Sequence, residues 1–101
     1  MEKDFLKNAG FSTKAIHGGY EDNKYGALAT PIYQTSTFIF DSAEQGGKRF
    51  AEEEEGFIYS RIGNPTSAQL EAKIALLENA EASVSTGSVM ESITSVIWSI
   101  V

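Results

Sequence analysis

From Ala82 to Val101 the chain carries one charged residue, Glu91, and within that stretch VMESITSVIWSIV sets Met90, Ile93, Ile97 and Ile100 on one helical stripe. This restricts the fold more than any other feature, because so apolar a helix needs cover. Burying Ile93, Ile97, Trp98 and Ile100 would stabilise by roughly 1.5–3 kcal/mol for each large side chain, provided neighbouring strands or helices supply the surface. A bilayer is not that surface, since the run falls short of the about 20 residues that a spanning helix takes. The run also stops in SVIWSIV without a glycine, lysine or other C-capping signal, so the helix reads as cut rather than finished.

Upstream, Asn64 is an N-cap candidate with Pro65 at the first helical position, and Thr66 with Gln69 is an alternative capping box; either one starts a helix. Leu70, Ile74 and Leu77 then share a face, Glu71, Lys73 and Glu78 turn to water, and the end falls near Asn79. EASVSTGS reads as a short strand and a loop before the apolar helix, and helix, strand, helix is the opening of an α/β layer. Residues 1–26 are polar and glycine-punctuated, so they read as an arm with a short helix over Ser12–His17 and no core. TPIYQTSTFIF is rich in β-branched and aromatic residues and reads as extended chain packed on something larger. Asp41 or Ser42 would cap a short helix, Gly46 and Gly47 would weaken its end, and the glutamates at 52–55 would form a solvated face.

Composition excludes several classes of function. A chain of 101 residues, 42% hydrophobic, is globular and can build one modest core. A net charge of −6 with no basic patch speaks against nucleic acid as a partner. Without cysteine there is neither a disulfide framework nor a thiolate metal site, and consecutive carboxylates point in different directions, so no metal is expected. MEKDFLKNAG lacks the apolar stretch of a secretory signal, which sets the expectation of a cytoplasmic protein with no membrane partner. His17 has nothing to pair with in sequence and is given no role.

YSRIGNPT places Tyr59 and Arg61 two apart, just before the helix start at Asn64. In an arbitrary protein such a pair is a packed ring and a solvated charge. Taken with AIHGGY, ATPIYQTSTFIF and QLEAKIALLENA, however, the motif makes the chain resemble the Cys/Met-metabolism family of pyridoxal-phosphate enzymes. The likeness runs from about Phe11 to Trp98, covers the N-terminal part of such an enzyme, and is strongest to the members that cleave methionine by γ-elimination.

That resemblance implies a fold-type I, aspartate-aminotransferase-like α/β architecture present only in part. Residues 1–62 would be an arm clamping a neighbouring subunit, and 63–101 the start of the cofactor-binding large domain. It implies pyridoxal 5′-phosphate as cofactor, a sulfur amino acid as substrate, and a homologous subunit as partner in a tetramer of two catalytic dimers. Tyr59 and Arg61 match the pair that reaches the phosphate of the neighbour's cofactor; a planar guanidinium with paired donors and a phenol suit that task. Ser88, Val89 and Met90 match the turn, commonly S-G-M-G, whose backbone N–H groups bind the phosphate of the subunit's own cofactor at a helix N-terminus.

The sequence departs from the family at that turn. Val89 stands in for a glycine and its branched side chain crowds the approach, while Glu91 replaces another glycine and brings negative charge toward a dianion. Phosphate is therefore expected to be held less tightly there. Glu52 likewise stands where the family has a loop glycine. By the resemblance, the Schiff-base lysine, the acid facing the pyridine nitrogen, the stacking aromatic and the substrate-carboxylate arginine all lie beyond Val101, so no residue present is expected to be catalytic, Lys73 included. Three readings stand open. One is the N-terminal part of a carbon–sulfur lyase that converts L-methionine to methanethiol, 2-oxobutanoate and ammonia, inactive alone, with cystathionine γ-lyase or synthase chemistry as its alternative. The others are a noncatalytic module that clamps a homologous subunit, and a nonfunctional remnant.

Overall fold

The computed structural model describes residues 3–101, which form five helices: α1 (Lys3–Lys7), α2 (Phe11–His17), α3 (Ala43–Phe50), α4 (Pro65–Leu77) and α5 (Val89–Ile100). They divide into two compact units. One gathers the residues up to Gly19 with Leu70–Val101, the other is Tyr20–Gln69.

In the first unit the arm does more than the sequence reading allowed. The helix expected over Ser12–His17 is present as α2, and a further short helix, α1, precedes it and supplies Leu6, the most buried apolar side chain of the described chain at 5% exposure. The expectation of no core in this segment is thus corrected; five residues are too few for a helical period to show in sequence. α2 ends at Gly18, whose N–H bonds the Lys14 carbonyl at 2.8 Å, and a Cβ there would collide with that carbonyl and press on Leu76 Cδ2 at 3.0 Å.

α4 starts and stops where the sequence says it should. Its end is a Schellman motif: Ala80 N–H reaches the Ala75 carbonyl at 2.9 Å, Asn79 N–H faces the Leu76 carbonyl at 3.4 Å, and Asn79 has φ +53. The face differs from expectation. Ala75 is buried, whereas Leu70 and Ile74 are 52% and 43% exposed. Glu71, expected to turn to water, accepts from Ser85 N–H at 3.0 Å and Ser85 Oγ at 2.7 Å, while its carbonyl takes the Ser83 hydroxyl.

Those bonds explain why the strand expected in EASVSTGS does not form among the described residues. A strand needs a neighbouring strand to take its N–H and C=O groups; here the Ser85 N–H goes to a side chain of α4 instead. The α/β order is corrected to helix, loop, helix. α5 follows as expected, but its stripe is not covered: Met90, Ile93, Ile97 and Ile100 are all exposed, as is Trp98 at 80%.

In the second unit TPIYQTSTFIF contains no helix and is broken by a tight turn at Gln34, where Thr35 N–H bonds the Tyr33 carbonyl at 2.9 Å, and its pairing is confined to an isolated antiparallel bridge between Thr37 and Tyr59. Phe38 N–H bonds the Ile58 carbonyl at 3.0 Å and Ser60 N–H the Ser36 carbonyl at 2.8 Å. Ser42, one of the two caps expected, starts α3: its Oγ accepts from Gln45 N–H at 3.1 Å, and Gln45 Oε1 returns to Asp41 N–H at 2.7 Å. The two glycines expected to weaken its end do not interrupt it, and the helix runs through both to Phe50. It closes in a second Schellman motif with Glu52 at φ +59, Glu53 N–H on the Lys48 carbonyl at 2.9 Å and Glu52 N–H on the Arg49 carbonyl at 3.2 Å. The glutamate run is solvated as expected, all four residues being exposed, and it follows the helix end as a turn and bend, with Glu54 paired to Arg49 at 3.3 Å.

Gly46 serves packing. A Cβ on it would lie 2.8 Å from Phe40 Cδ2, and that ring is held edge-on to Phe50 at 6.3 Å and under the Arg49 guanidinium at 5.6 Å. At Gly47 a Cβ would meet nothing within 4 Å. Alanine gains about 1 kcal/mol over glycine in a helix interior, and overpacking costs about 1–3 kcal/mol. Gly47→Ala should therefore raise the thermal midpoint and Gly46→Ala lower it; matching shifts in calorimetry would show that Phe40 does not set this contact. Separately, Glu52→Gly should stabilise by about 1 kcal/mol, because the left-handed conformation penalises any Cβ. A lower urea midpoint for that variant would contradict the assignment of the α3 terminus.

Candidate functional site

Tyr59 and Arg61 sit in a turn that the backbone pins from several sides. Ile62 and Gly63 N–H groups both bond the Tyr59 carbonyl, at 2.9 and 3.0 Å. Ser60 bonds Ser36 through its N–H and the Thr35 carbonyl through its hydroxyl. With the main chain so occupied, the two functional side chains are left outside: Tyr59 is 36% exposed and Arg61 is exposed. The Arg61 guanidinium carbon lies 5.5 Å from the Tyr59 ring centroid. A cation on an aromatic face at an exposed site is worth about 0.5–1 kcal/mol, enough to bias both groups to one side of the turn. None of the described ion pairs includes Arg61, so its donors are open to an anion from outside.

Asn64 fixes this turn against α4 and the extended segment. Its Nδ2 donates to the Tyr33 carbonyl and to Ser60 Oγ, both at 2.9 Å, and its Oδ1 accepts from Thr66 N–H at 2.9 Å. Asn64 is therefore the N-cap that the sequence offered as one of two choices. The other choice fails because Thr66 Oγ1 is turned away from a capping box: it accepts from Tyr33 N–H at 3.0 Å and donates to the Pro31 carbonyl at 2.8 Å. The hub role of Asn64 was not read from the sequence, which shows a cap but not what its second donor reaches.

Ser88, Val89 and Met90 lie in the other unit, at the start of α5. Ser88 is the N-cap, its Oγ accepting from Glu91 N–H at 3.1 Å, and Glu91 Oε2 accepts from Gly87 N–H at 3.0 Å. Val89 and Met90 are exposed, at 77% and 68%. The Ser88-x-x-Glu91 spacing is a capping signal legible in the sequence, which the reading of Glu91 as a stray charge passed over. Among the described residues no group of three or more His, Cys, Asp or Glu could hold a metal ion, and no helix is long and apolar enough to cross a membrane. His17 is half-buried at the end of α2, in the other unit from Tyr59 and Arg61.

The Cys/Met metabolism PLP-dependent enzyme family matches residues 12–101. The chain belongs to that family. It is 62% identical over 101 residues to the L-methionine γ-lyase of Treponema denticola, an alignment that takes in all of this chain and 25% of that protein. It is 58% identical to the L-methionine γ-lyase of Porphyromonas gingivalis over 97% of this chain and 25% of the relative. Among solved structures, the Campylobacter jejuni protein assigned as an O-acetylhomoserine (thiol)-lyase, which carries a pyridoxyl-lysine monophosphate, superposes with a TM-score of 0.70 at 36% identity. That match covers 74% of this chain and 18% of the other. The cystathionine γ-lyase of Lactobacillus plantarum gives 0.58 at 43% identity over 73% and 17%. This member of the Cys/Met metabolism family thus spans about a quarter of the length of the curated relatives it matches.

Family membership makes pyridoxal phosphate the cofactor to test against these residues. Tyr59 and Arg61 suit its phosphate: both are exposed, and the described ion pairs leave the guanidinium without a carboxylate. The α5 start does not suit it as it stands, because the Gly87 N–H already has an anionic acceptor in Glu91.

Replacing Asn64 with aspartate keeps the acceptor for Thr66 N–H and removes both donations from Nδ2. Asn64→Asp should destabilise by about 1–3 kcal/mol and speed amide exchange at Ser60 and Phe38. Equal urea midpoints for Asn64→Asp and the parent chain would show that the Tyr33 and Ser60 bonds carry no weight.

Proposed function

We propose that the chain is the N-terminal region of a pyridoxal-phosphate-dependent carbon–sulfur lyase of fold type I, acting on L-methionine by γ-elimination: methionine and water give methanethiol, 2-oxobutanoate and ammonia. The observation that carries this reading is the Tyr59–Arg61 pair, held outward on a pinned turn with the guanidinium stacked on the phenol. Support comes from the identity of 58–62% to L-methionine γ-lyases across almost the whole chain. In this reading residues 1–62 are the arm that clamps a homologous subunit and 63–101 open the large domain. Tyr59 and Arg61 bind the phosphate of the neighbouring subunit's cofactor by charge-assisted hydrogen bonds. Ser88, Val89 and Met90 border the phosphate of the subunit's own cofactor, with Glu91 beside it. The cofactor, when bound, supplies the electron sink for carbon–sulfur cleavage; Tyr59 and Arg61 grip and orient it, and none of the residues here moves a proton.

A chimera tests this. With these 101 residues in place of the matching quarter of the Treponema denticola lyase, the protein should retain pyridoxal phosphate and release methanethiol from L-methionine. Arg61→Ala in that chimera should weaken cofactor retention about ten- to a hundredfold, the range of a hydrogen bond to a charged group. Arg61→Lys should lose less than alanine, because a point charge keeps the attraction without the paired donors. Cofactor affinity indifferent to both variants would remove Arg61 from the phosphate. The 101-residue chain alone should show no turnover.

A second reading is favoured by the uncovered stripe of α5, where Ile93, Ile97 and Trp98 are 47%, 49% and 80% exposed. The chain alone would then be a noncatalytic module that docks on a homologous subunit, and co-purification with a complete lyase would distinguish it from an inert remnant.

A further inference from the structure

We infer that Glu91 is the anion of its own helix: its carboxylate occupies the N-terminus of α5 and keeps phosphate off the Gly87–Met90 turn. The inference rests on placing this turn beside the cofactor phosphate, and it starts from a mismatch between that role and the bonds present.

The N-terminus of a helix leaves backbone N–H groups without intrahelical partners and carries partial positive charge, which together make it attractive to anions. At α5 two amides of this turn are already served from within, and the charge that serves one of them lies beside the N–H groups of Val89 and Met90. Glu91 Oε2 takes the Gly87 N–H at 3.0 Å and Ser88 Oγ takes the Glu91 N–H at 3.1 Å. A Cβ built on Gly87 would lie 3.4 Å from Glu91 Oε2, so the carboxylate is folded back over the turn. Thr86 Oγ1 donates to the Ser88 carbonyl at 2.9 Å and tightens the same loop. No described ion pair draws Glu91 elsewhere.

The same chain contains a neutral copy of this arrangement. At α3, Ser42 Oγ accepts from Gln45 N–H at 3.1 Å and Gln45 Oε1 accepts from Asp41 N–H at 2.7 Å. Serine at the cap, a long side chain three residues on, and a return bond to the residue before the cap are common to both. The cap geometry therefore needs no charge. What Glu91 adds over a glutamine is a negative charge at the spot where an incoming phosphate dianion would have to sit, and like charges at that range repel.

Glu91→Gln separates the two effects, since Gln45 shows that glutamine completes this cap. The 101-residue chain and the variant would be titrated with inorganic phosphate, and separately with pyridoxal 5′-phosphate, while the amide resonances of Gly87, Ser88, Val89 and Met90 are followed by NMR. Far-UV circular dichroism should be unchanged. The expected result is phosphate binding at these amides about fivefold tighter in Glu91→Gln than in the parent, the size of a charge effect at an exposed helix end. Equal affinities, or no response at these amides in either protein, would overturn the inference. A gain for inorganic phosphate with no added affinity for pyridoxal 5′-phosphate would uphold Glu91 as the occupant and count instead against placing the cofactor here. Loss of cofactor in the Arg61→Ala chimera, with no gain from Glu91→Gln, would do the reverse.

Discussion

One side-chain amide, that of Asn64, ties together most of what makes the second unit a structure. Its three hydrogen bonds join the start of α4, the turn that carries Tyr59 and Arg61, and the extended segment at Tyr33. It is also among the most buried polar residues of the described chain, at 9% exposure. A buried amide is stabilising only when its donors and acceptor are all used, and here they are. The surroundings follow from it: once Asn64 sets the first turn of α4, Thr66 is placed to bridge Pro31 and Tyr33, and the Thr37 and Tyr59 bridge closes the other side.

Order elsewhere comes from helix ends more than from a core. Leu6 and Ala75 are the buried apolar residues of the described chain, so hydrophobic burial contributes little to fixing the helices. Instead α3 and α5 begin in reciprocal caps and α3 and α4 finish in Schellman motifs, each such device contributing about 1 kcal/mol. The two left-handed positions, Glu52 and Asn79, differ in cost. Asparagine tolerates that conformation and glutamate does not, so the α3 terminus carries a strain that the α4 terminus avoids.

What could be read from sequence follows this division between local and long-range causes. Asn64–Pro65, Ser42 and Asn79 act within a few residues of themselves, and their roles as caps were legible. The belonging of Tyr59 and Arg61 to one motif was legible too, although their stacking on a pinned turn depends on Thr35 and Ser36, more than 20 residues away. Gly46 read only as a residue that weakens the end of α3, because nothing in the sequence says that Phe40 folds onto it. The short strand expected within 81–88 does not form, and its Ser85 N–H goes to Glu71, a partner 14 residues away that local sequence does not reveal. Ser88-x-x-Glu91 shows the opposite failure: the signal was local and plain, but attention to the charge hid the cap.

The two candidate phosphate contacts illustrate how one anion can meet different electrostatics in a single chain. At Tyr59 and Arg61 the turn is pinned by its own hydrogen bonds, and the candidate binding group is a side-chain cation, so the contact depends on that one charge. At α5 the binding groups would be backbone N–H groups, and one of them, that of Gly87, is already held by the Glu91 carboxylate. A side-chain cation cannot be silenced in this way without an acidic partner, and the described ion pairs give Arg61 none. A helix N-terminus can be silenced by a single glutamate three residues into the helix. A glutamate at that position therefore acts on more than the room beside the turn: it takes one of its amides and sets a negative charge beside the rest.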